Sequence, residues 1–196
     1  QSRFMRVHRD IGNMLASGDL ILSLGAGNIH EQLSVLAAEL VVAEKLKAIV
    51  SEEGEVRLHE PMAKHTTLRV GGPAQFWVEP RTEKAFAELI RFCRREDLSL
   101  FVVGRGSNLL VRDGGIEGVV VHPCGGEFDD ISVSENEITS GVGAKLKQVA
   151  YAGRDAGIGG LEWMEGIPGE VGGALRMNAG AMGGQTFEHV VRVRVL

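Results

Sequence analysis

Cysteine is scarce. Cys93 and Cys124 are the only two in 196 residues, with no CxxC spacing and no histidine cluster beside them. That argues against a disulfide framework or a zinc site, and it fits a reducing, cytoplasmic setting. Basic charge is also in short supply: 21 Lys and Arg stand against 26 Asp and Glu, a net charge of −5. Neither the first 60 residues nor the remainder carries the basic excess that a nucleic-acid footprint needs. No apolar run approaches the ~18 residues of a membrane span. The opening QSRFMRVHRDIG lacks the basic-then-apolar layout of a signal peptide. The expectation is a chain without membrane insertion or nucleic-acid partner. Because it begins on Gln1 and stops inside the strand-like VVRVRVL, it also reads as part of a longer protein.

Glycine, by contrast, is abundant. The 27 Gly are about twice the usual ~7%. Most of them lie after residue 60, and ten fall between Gly157 and Gly184. Hydrophobic content of 44% and charged content of 24% are otherwise those of a globular domain.

Periodicity divides the chain. Phe4, Val7, Ile11, Met14 and Leu15 recur at helical spacing, Leu20 to Leu24 reads as a short buried strand, and Gly25-Ala26-Gly27 leads into a second helix. Asn28 and Glu31 form a capping-box pattern there, with Ile29, Leu33, Leu36, Ala37 and Leu40 as its apolar stripe. Residues 1–46 thus read as helix, strand and helix, too little to cover both faces of a sheet. Residues 47–60, ending in the acidic SEEGEVRLHE, read as a linker. Beyond it, residues 74–79 predict a strand, Thr82 caps a helix striped by Phe86, Leu89, Ile90 and Cys93, and Leu100–Val103 and Gly118–His122 predict two more strands. A hairpin around Glu135-Asn136, a helix bearing Leu146, Val149 and Ala150, and a strand from Val190 complete the reading.

Two glycine-rich segments are candidate sites. Gly104, Arg105, Gly106, Ser107 and Asn108, followed by Leu109, leave a strand. Their backbone N–H groups and the Ser and Asn side chains have the composition of a phosphate cradle. The segment is neither a P-loop nor GxGxxG, since Leu109 takes the third glycine position, and a tight loop between strands explains it too. Gly160 to Gly184 combines bare backbone with apolar flanks: glycine either permits a positive φ or lets main chain approach a flat ligand. Close packing through Gly172-Gly173 is the other explanation. Two such loops some 60 residues apart suit a long dinucleotide. The lone Gly25-Ala26-Gly27 is weaker, because His30 stands where the dinucleotide fingerprint needs Gly or Ala. His8, His30, His59, His65, His122 and His189 are scattered and form no nucleophile pairing. Glu162, Glu165 and Glu170 are carboxylates placed to orient a ligand or simply solvated. No metal site is expected.

KHTTLRVGGPAQFWVEP from Lys64, VVGRGSNLLVRDGGIEGVVV from Val102 and GLEWMEGIPGEVGGALRMNAGAMGG from Gly160 resemble, in order, the FAD-binding half of the UDP-N-acetylenolpyruvoylglucosamine reductases. The resemblance covers residues 61–196. GDLILSLGAGNIHEQLSVLAAEL from Gly18 is similar to the C-terminal end of UDP-N-acetylmuramate L-alanine ligases. Together they imply a fusion of two enzymes of peptidoglycan precursor synthesis, with an α+β or α/β fold. That fold would be the two-part FAD-binding one of the vanillyl-alcohol-oxidase type, truncated and preceded by a ligase remnant. The implied division is a ligase piece at 1–46, a linker at 47–60, a first FAD subdomain at 61–124 and an incomplete second one at 125–196.

The resemblance further implies FAD as cofactor, NADPH as hydride donor and a UDP-sugar enolpyruvate as substrate, with the remaining ligase and substrate domains as partners. It assigns the diphosphate to Gly104–Leu109 and the flavin to Gly166, Ile167, Pro168, Gly169, Val171, Gly172, Gly173, Asn178, Ala179 and Gly180. The family's catalytic residues have no counterpart within this chain, so the chain alone is expected to be inactive. Met182 stands for an aromatic and Glu170 for a small residue. Ala in place of Gly106 or Gly172 is expected to harm FAD binding more than folding.

Overall fold

The computed structural model describes residues 29–196, together with positions 11, 14, 15 and 19–21. The predicted first helix, the strand at Leu20–Leu24 and the Gly25-Ala26-Gly27 turn with its Asn28 cap lie wholly or mostly outside these residues.

Helix α1 (Ile29–Val50) places Leu36, Glu39, Ala43, Leu46 and Val50 on one buried face at intervals of three and four. The sheet that follows contains β1 (Glu55–Pro61), β2 (Pro73–Glu79), β3 (Leu100–Val102) and β4 (Ile116–Val121) in the order β1-β2-β4-β3. β1 is antiparallel to β2, whereas β2 and β3 both run parallel to the central β4. Helix α2 (Glu83–Arg95) carries the chain from β2 to β3. Its N-cap is the predicted Thr82, whose hydroxyl accepts from the Ala85 N–H at 3.2 Å, and Arg94 and Arg95 occupy the last turn.

The expected linker at 47–60 is therefore corrected. Lys47–Val50 is the last turn of α1 and Glu55–Pro61 is an edge strand of the sheet. Charge in SEEGEV marks only a short turn, with Ser51 at φ 58°. Ala43, Leu46 and Val50 then share one core with Phe76, Val78, Leu89, Phe92, Val119 and Val121. The helix at the end of the supposed ligase piece thus belongs to the same core as the sheet.

Strand periodicity sorts the two faces. Phe76 and Val78 point to the helices, while Trp77 and Val120 pack with Met62 and Val103 on the opposite face. Glu79, two residues after Trp77, shares its side, and this second face carries the site.

The second half is smaller. Strands β5 (Ile131–Ser134) and β6 (Glu137–Ser140) form the predicted hairpin, with Glu135 at φ 53° in its turn. Helix α3 (Leu146–Asp155), a 3₁₀ turn at Glu162–Gly166 and helix α4 (Val171–Met177) enclose a core of Leu146, Val149, Trp163, Met164 and Ala174. The two-residue strands β7 (Gly180–Ala181) and β8 (Gly184–Gln185) pair across Met182 and Gly183, at φ 51° and 88°. The strand expected from Val190 is absent: residues 190–196 join no ladder of the three sheets, and Val191, Val193 and Val195 are exposed.

Candidate functional site

Parallel strands tend to gather ligands at their carboxyl ends, and three segments meet there. β3 runs into Val103-Gly104-Arg105, β4 ends on Val121 before His122, and β2 ends on Glu79. Gly106, at φ 62°, accepts a hydrogen bond from the Thr67 N–H at 3.2 Å, which lays the 104–106 loop against residues 64–67. A Cβ on Gly106 would run into the His65 carbonyl oxygen, so this glycine is demanded by the protein's own packing. From the other half, Gly169 comes within 4.0 Å of the Ser107 hydroxyl, measured from where its Cβ would stand.

Between them lies a cavity of about 290 Å³, lined by Lys64–Thr67, Gly104, Arg105, His122 and Pro168. The two glycine-rich segments, remote in sequence, thus both reach one space, the first through Gly104 and Arg105 and the second through Pro168. Its volume is at the small end for ligand pockets, enough for a diphosphate and its neighbours rather than a whole dinucleotide. Lys64 and Arg105 give it cationic walls, and Arg105 makes no ion pair among the described residues.

Behind the cavity runs a chain of buried polar groups. The His65 ring stacks on Trp77, centroids 3.8 Å apart. The Trp77 N–H donates to Glu79 Oε1 at 2.9 Å, and Arg81 Nη2 donates to Glu79 Oε2 at 3.1 Å. His122 sits between two carboxylates, its Nδ1 3.8 Å from Glu79 Oε1 and its Nε2 3.4 Å from Glu170 Oε2. The His122 interaction holds Glu79 down, against the opposing effect of burial and with help from Trp77 and Arg57, so its pKa falls from 4.5 to about 2. Burial works against charge on His122, but Cys124, Glu170 and Glu79 together outweigh it and raise its pKa from 6.5 to about 11. Glu79, His122 and Cys124 place ligand atoms within 4.8 Å of one another. Arg81 already occupies that cluster, donating to Glu79 at 3.1 Å and to Cys124 Sγ at 3.2 Å.

Of the sequence-predicted residues, Gly104, Arg105 and Pro168 line the cavity. Ser107 and Asn108 are exposed beside it, and Leu109 packs under the sheet with Met62 and Trp77. Ile167 and Val171 pack on the second core, and Gly172 approaches Val142, whose Cβ a methyl group there would meet at 3.1 Å. Gly166 and Gly173 differ: a Cβ on either meets nothing within 4 Å. Packing does not require these two to be glycine: both are exposed, with open space where a side chain would stand.

Asn178, Ala179 and Gly180 stand apart from the cavity. The Asn178 side chain donates to Gln185 at 3.1 Å and accepts from the Phe187 N–H at 2.9 Å, fastening the β7–β8 hairpin. Ala179 accepts from Thr186, and Gly180 pairs with Gln185. Met182 is exposed at the hairpin tip. The residues that composition left unassigned are Lys64, Thr66, Thr67, Glu79 and His122. Their signal was positional: VVVH ends a parallel strand, where side chains face a ligand crevice.

A small mixed sheet with a glycine loop at the end of β3, met by a second glycine-rich unit, is the architecture of a dinucleotide-binding class of protein. The FAD binding domain family matches residues 74–196, and the chain belongs to it. It is 42% identical over 155 residues to the UDP-N-acetylenolpyruvoylglucosamine reductase of Anoxybacillus flavithermus, covering 78% of this chain and 51% of that protein. It is 46% identical over 139 residues to the reductase of the same name from Heliobacterium modesticaldum, covering 71% and 44%. Among solved structures, the Thermus caldophilus UDP-N-acetylenolpyruvylglucosamine reductase aligns with a TM-score of 0.53 at 35% identity, covering 67% of this chain and 44% of that one. The chain spans about half the length of the curated relatives it matches. The Anoxybacillus match is longer than residues 61–196 and so takes in β1 and part of the segment first read as linker. No helix among the described residues is long and apolar enough to cross a membrane.

Proposed function

We propose that this chain is the flavin-binding portion of an NADPH-dependent reductase that converts a UDP-N-acetylglucosamine enolpyruvate to UDP-N-acetylmuramate in the cytoplasm. The carrying observation is the convergence of the two glycine loops on one cationic cavity at the ends of β3 and β4. The bare, open backbone at Gly166 and Gly173 fits a flat ring lying against it.

In this reading the Gly104–Asn108 loop, with Leu109 behind it, holds the diphosphate, and Lys64 and Arg105 neutralise it from the walls. Gly166–Gly169, Val171–Gly173 and Asn178–Gly180 face the flavin side. Met182 and Glu170 shape the edge of that surface. FAD held there would supply the hydride chemistry linking NADPH to the substrate. The protein's part is to hold, orient and shield. The Gly18–Leu40 resemblance extends the proposal to a parent in which this portion is fused to UDP-N-acetylmuramate L-alanine ligase. Residues 61–124 and 125–196 are then the two FAD subdomains, with α1 and β1 built onto the first.

The test is uptake of FAD by the purified chain, followed by flavin absorbance and fluorescence quenching. The expected result is stoichiometric, non-covalent binding, with flavin released on denaturation. A chain that takes up no FAD sinks the proposal, and flavin that stays attached after denaturation points to a different oxidase of the same fold.

A further inference from the structure

A cavity built for a dianionic group has a carboxylate directly behind it. Glu170 is buried, 6% exposed, and its Oε2 lies 2.9 Å from the point that a Cβ on Gly104 would occupy. The Glu170 side chain therefore backs onto the first glycine loop although it belongs to the second. An uncompensated carboxylate at this place repels a diphosphate and is costly to bury.

His122 supplies the compensation. It lines the cavity itself and lies 3.4 Å from Glu170. The groups facing it are Glu79 from β2, Glu170 from the segment before α4 and Cys124 on its own stretch, with Arg81 beyond Cys124 and the tilted Trp77 ring at 5.6 Å. Two carboxylates against one imidazole keep that ring charged at neutral pH. Arg81 is engaged by Glu79 and the Cys124 segment and donates nothing to Glu170.

We infer that His122 is a positioning residue of the flavin cavity, which by pairing with Glu170 ties the second glycine loop to the first and cancels the carboxylate that stands behind Gly104, where it would otherwise oppose the cofactor's diphosphate. The inference rests on the FAD reading above. It makes the two residues a matched pair: Glu170 is tolerable at this position only with a cation at 122, and removing the histidine alone is worse than removing both charges.

The experiment measures FAD affinity of the apoprotein at pH 7 by fluorescence quenching for the wild type, H122Q and H122Q/E170Q, with thermal melts confirming that each is folded. H122Q is expected to bind FAD at least tenfold more weakly, and H122Q/E170Q to recover to within about threefold of wild type. A purely structural role for His122 would not be rescued by neutralising its partner. Wild-type affinity in H122Q, or a double variant no tighter than H122Q, overturns the inference while leaving the flavin reading intact. A wild-type chain that binds no FAD overturns both.

Discussion

A methyl group added at Gly106 meets the His65 carbonyl in a backbone already at φ 62°, whereas one added at Gly173, in the first turn of α4, meets open space. The two substitutions should therefore separate. G106A is expected to lower stability by more than the ~1–2 kcal/mol of a left-handed non-glycine residue, seen as a fall in melting temperature without FAD present. G173A is expected to stabilise the apoprotein by about 0.4–1 kcal/mol, as Gly to Ala does at compatible backbone, while weakening FAD binding. This reverses the sequence-based expectation for Gly106, whose constraint comes from a neighbour some 40 residues away that spacing cannot reveal.

The Glu79–His122 pair gives a pH dependence at the same scale. Glu79, lowered from 4.5 to about 2, contributes stability that is present above pH 4.5 and lost as pH falls toward 2. His122, raised from 6.5 to about 11, contributes stability that is complete below pH 6.5 and lost as pH rises toward 11. Melting temperature should therefore peak between about pH 4.5 and 6.5. H122Q should flatten the alkaline side and also soften the acid side, because His122 is the leading cause of the low Glu79 pKa. A melting profile in H122Q that keeps the wild-type alkaline decline would contradict this assignment.

At the scale of elements, α1 is the informative case. Leu46 is fully buried and shares the core with Phe76, Leu89 and Val119. L46A should cost about 2–5 kcal/mol, read from urea unfolding of the whole domain in a single transition. A loss below ~1 kcal/mol would mean that α1 is an appended piece after all. Local signals made α2 legible: Thr82, the Phe86–Cys93 stripe and the terminal arginines are all within one helix. The β5–β6 hairpin was legible for the same reason, since its turn and both strands lie within ten residues. The linker reading failed because SEEGEV is polar enough to end a helix but too short to leave the sheet, and β1 alternates only weakly, with Val56 and Leu58 set among charged residues. The cavity walls were half legible: both glycine loops stood out by composition, but Lys64–Thr67 and His122 reach the site only through strand order, which no local pattern encodes.

For the whole molecule, the sheet order β1-β2-β4-β3 has a consequence in time. β4 is the last strand made, yet it lies in the middle, hydrogen-bonded to β2 on one side and β3 on the other. A nascent chain that has emerged only to β3 holds the β1–β2 pair and a third strand, β3, that pairs with neither. Their apolar residues Phe76, Val78 and Leu100 then await an insertion that brings non-local partners together, a slow kind of step that exposes strand edges to aggregation. Only when residues 116–121 arrive do the loops at 104 and 122 come into register, so the first wall of the cofactor cavity and the completed sheet form in one event.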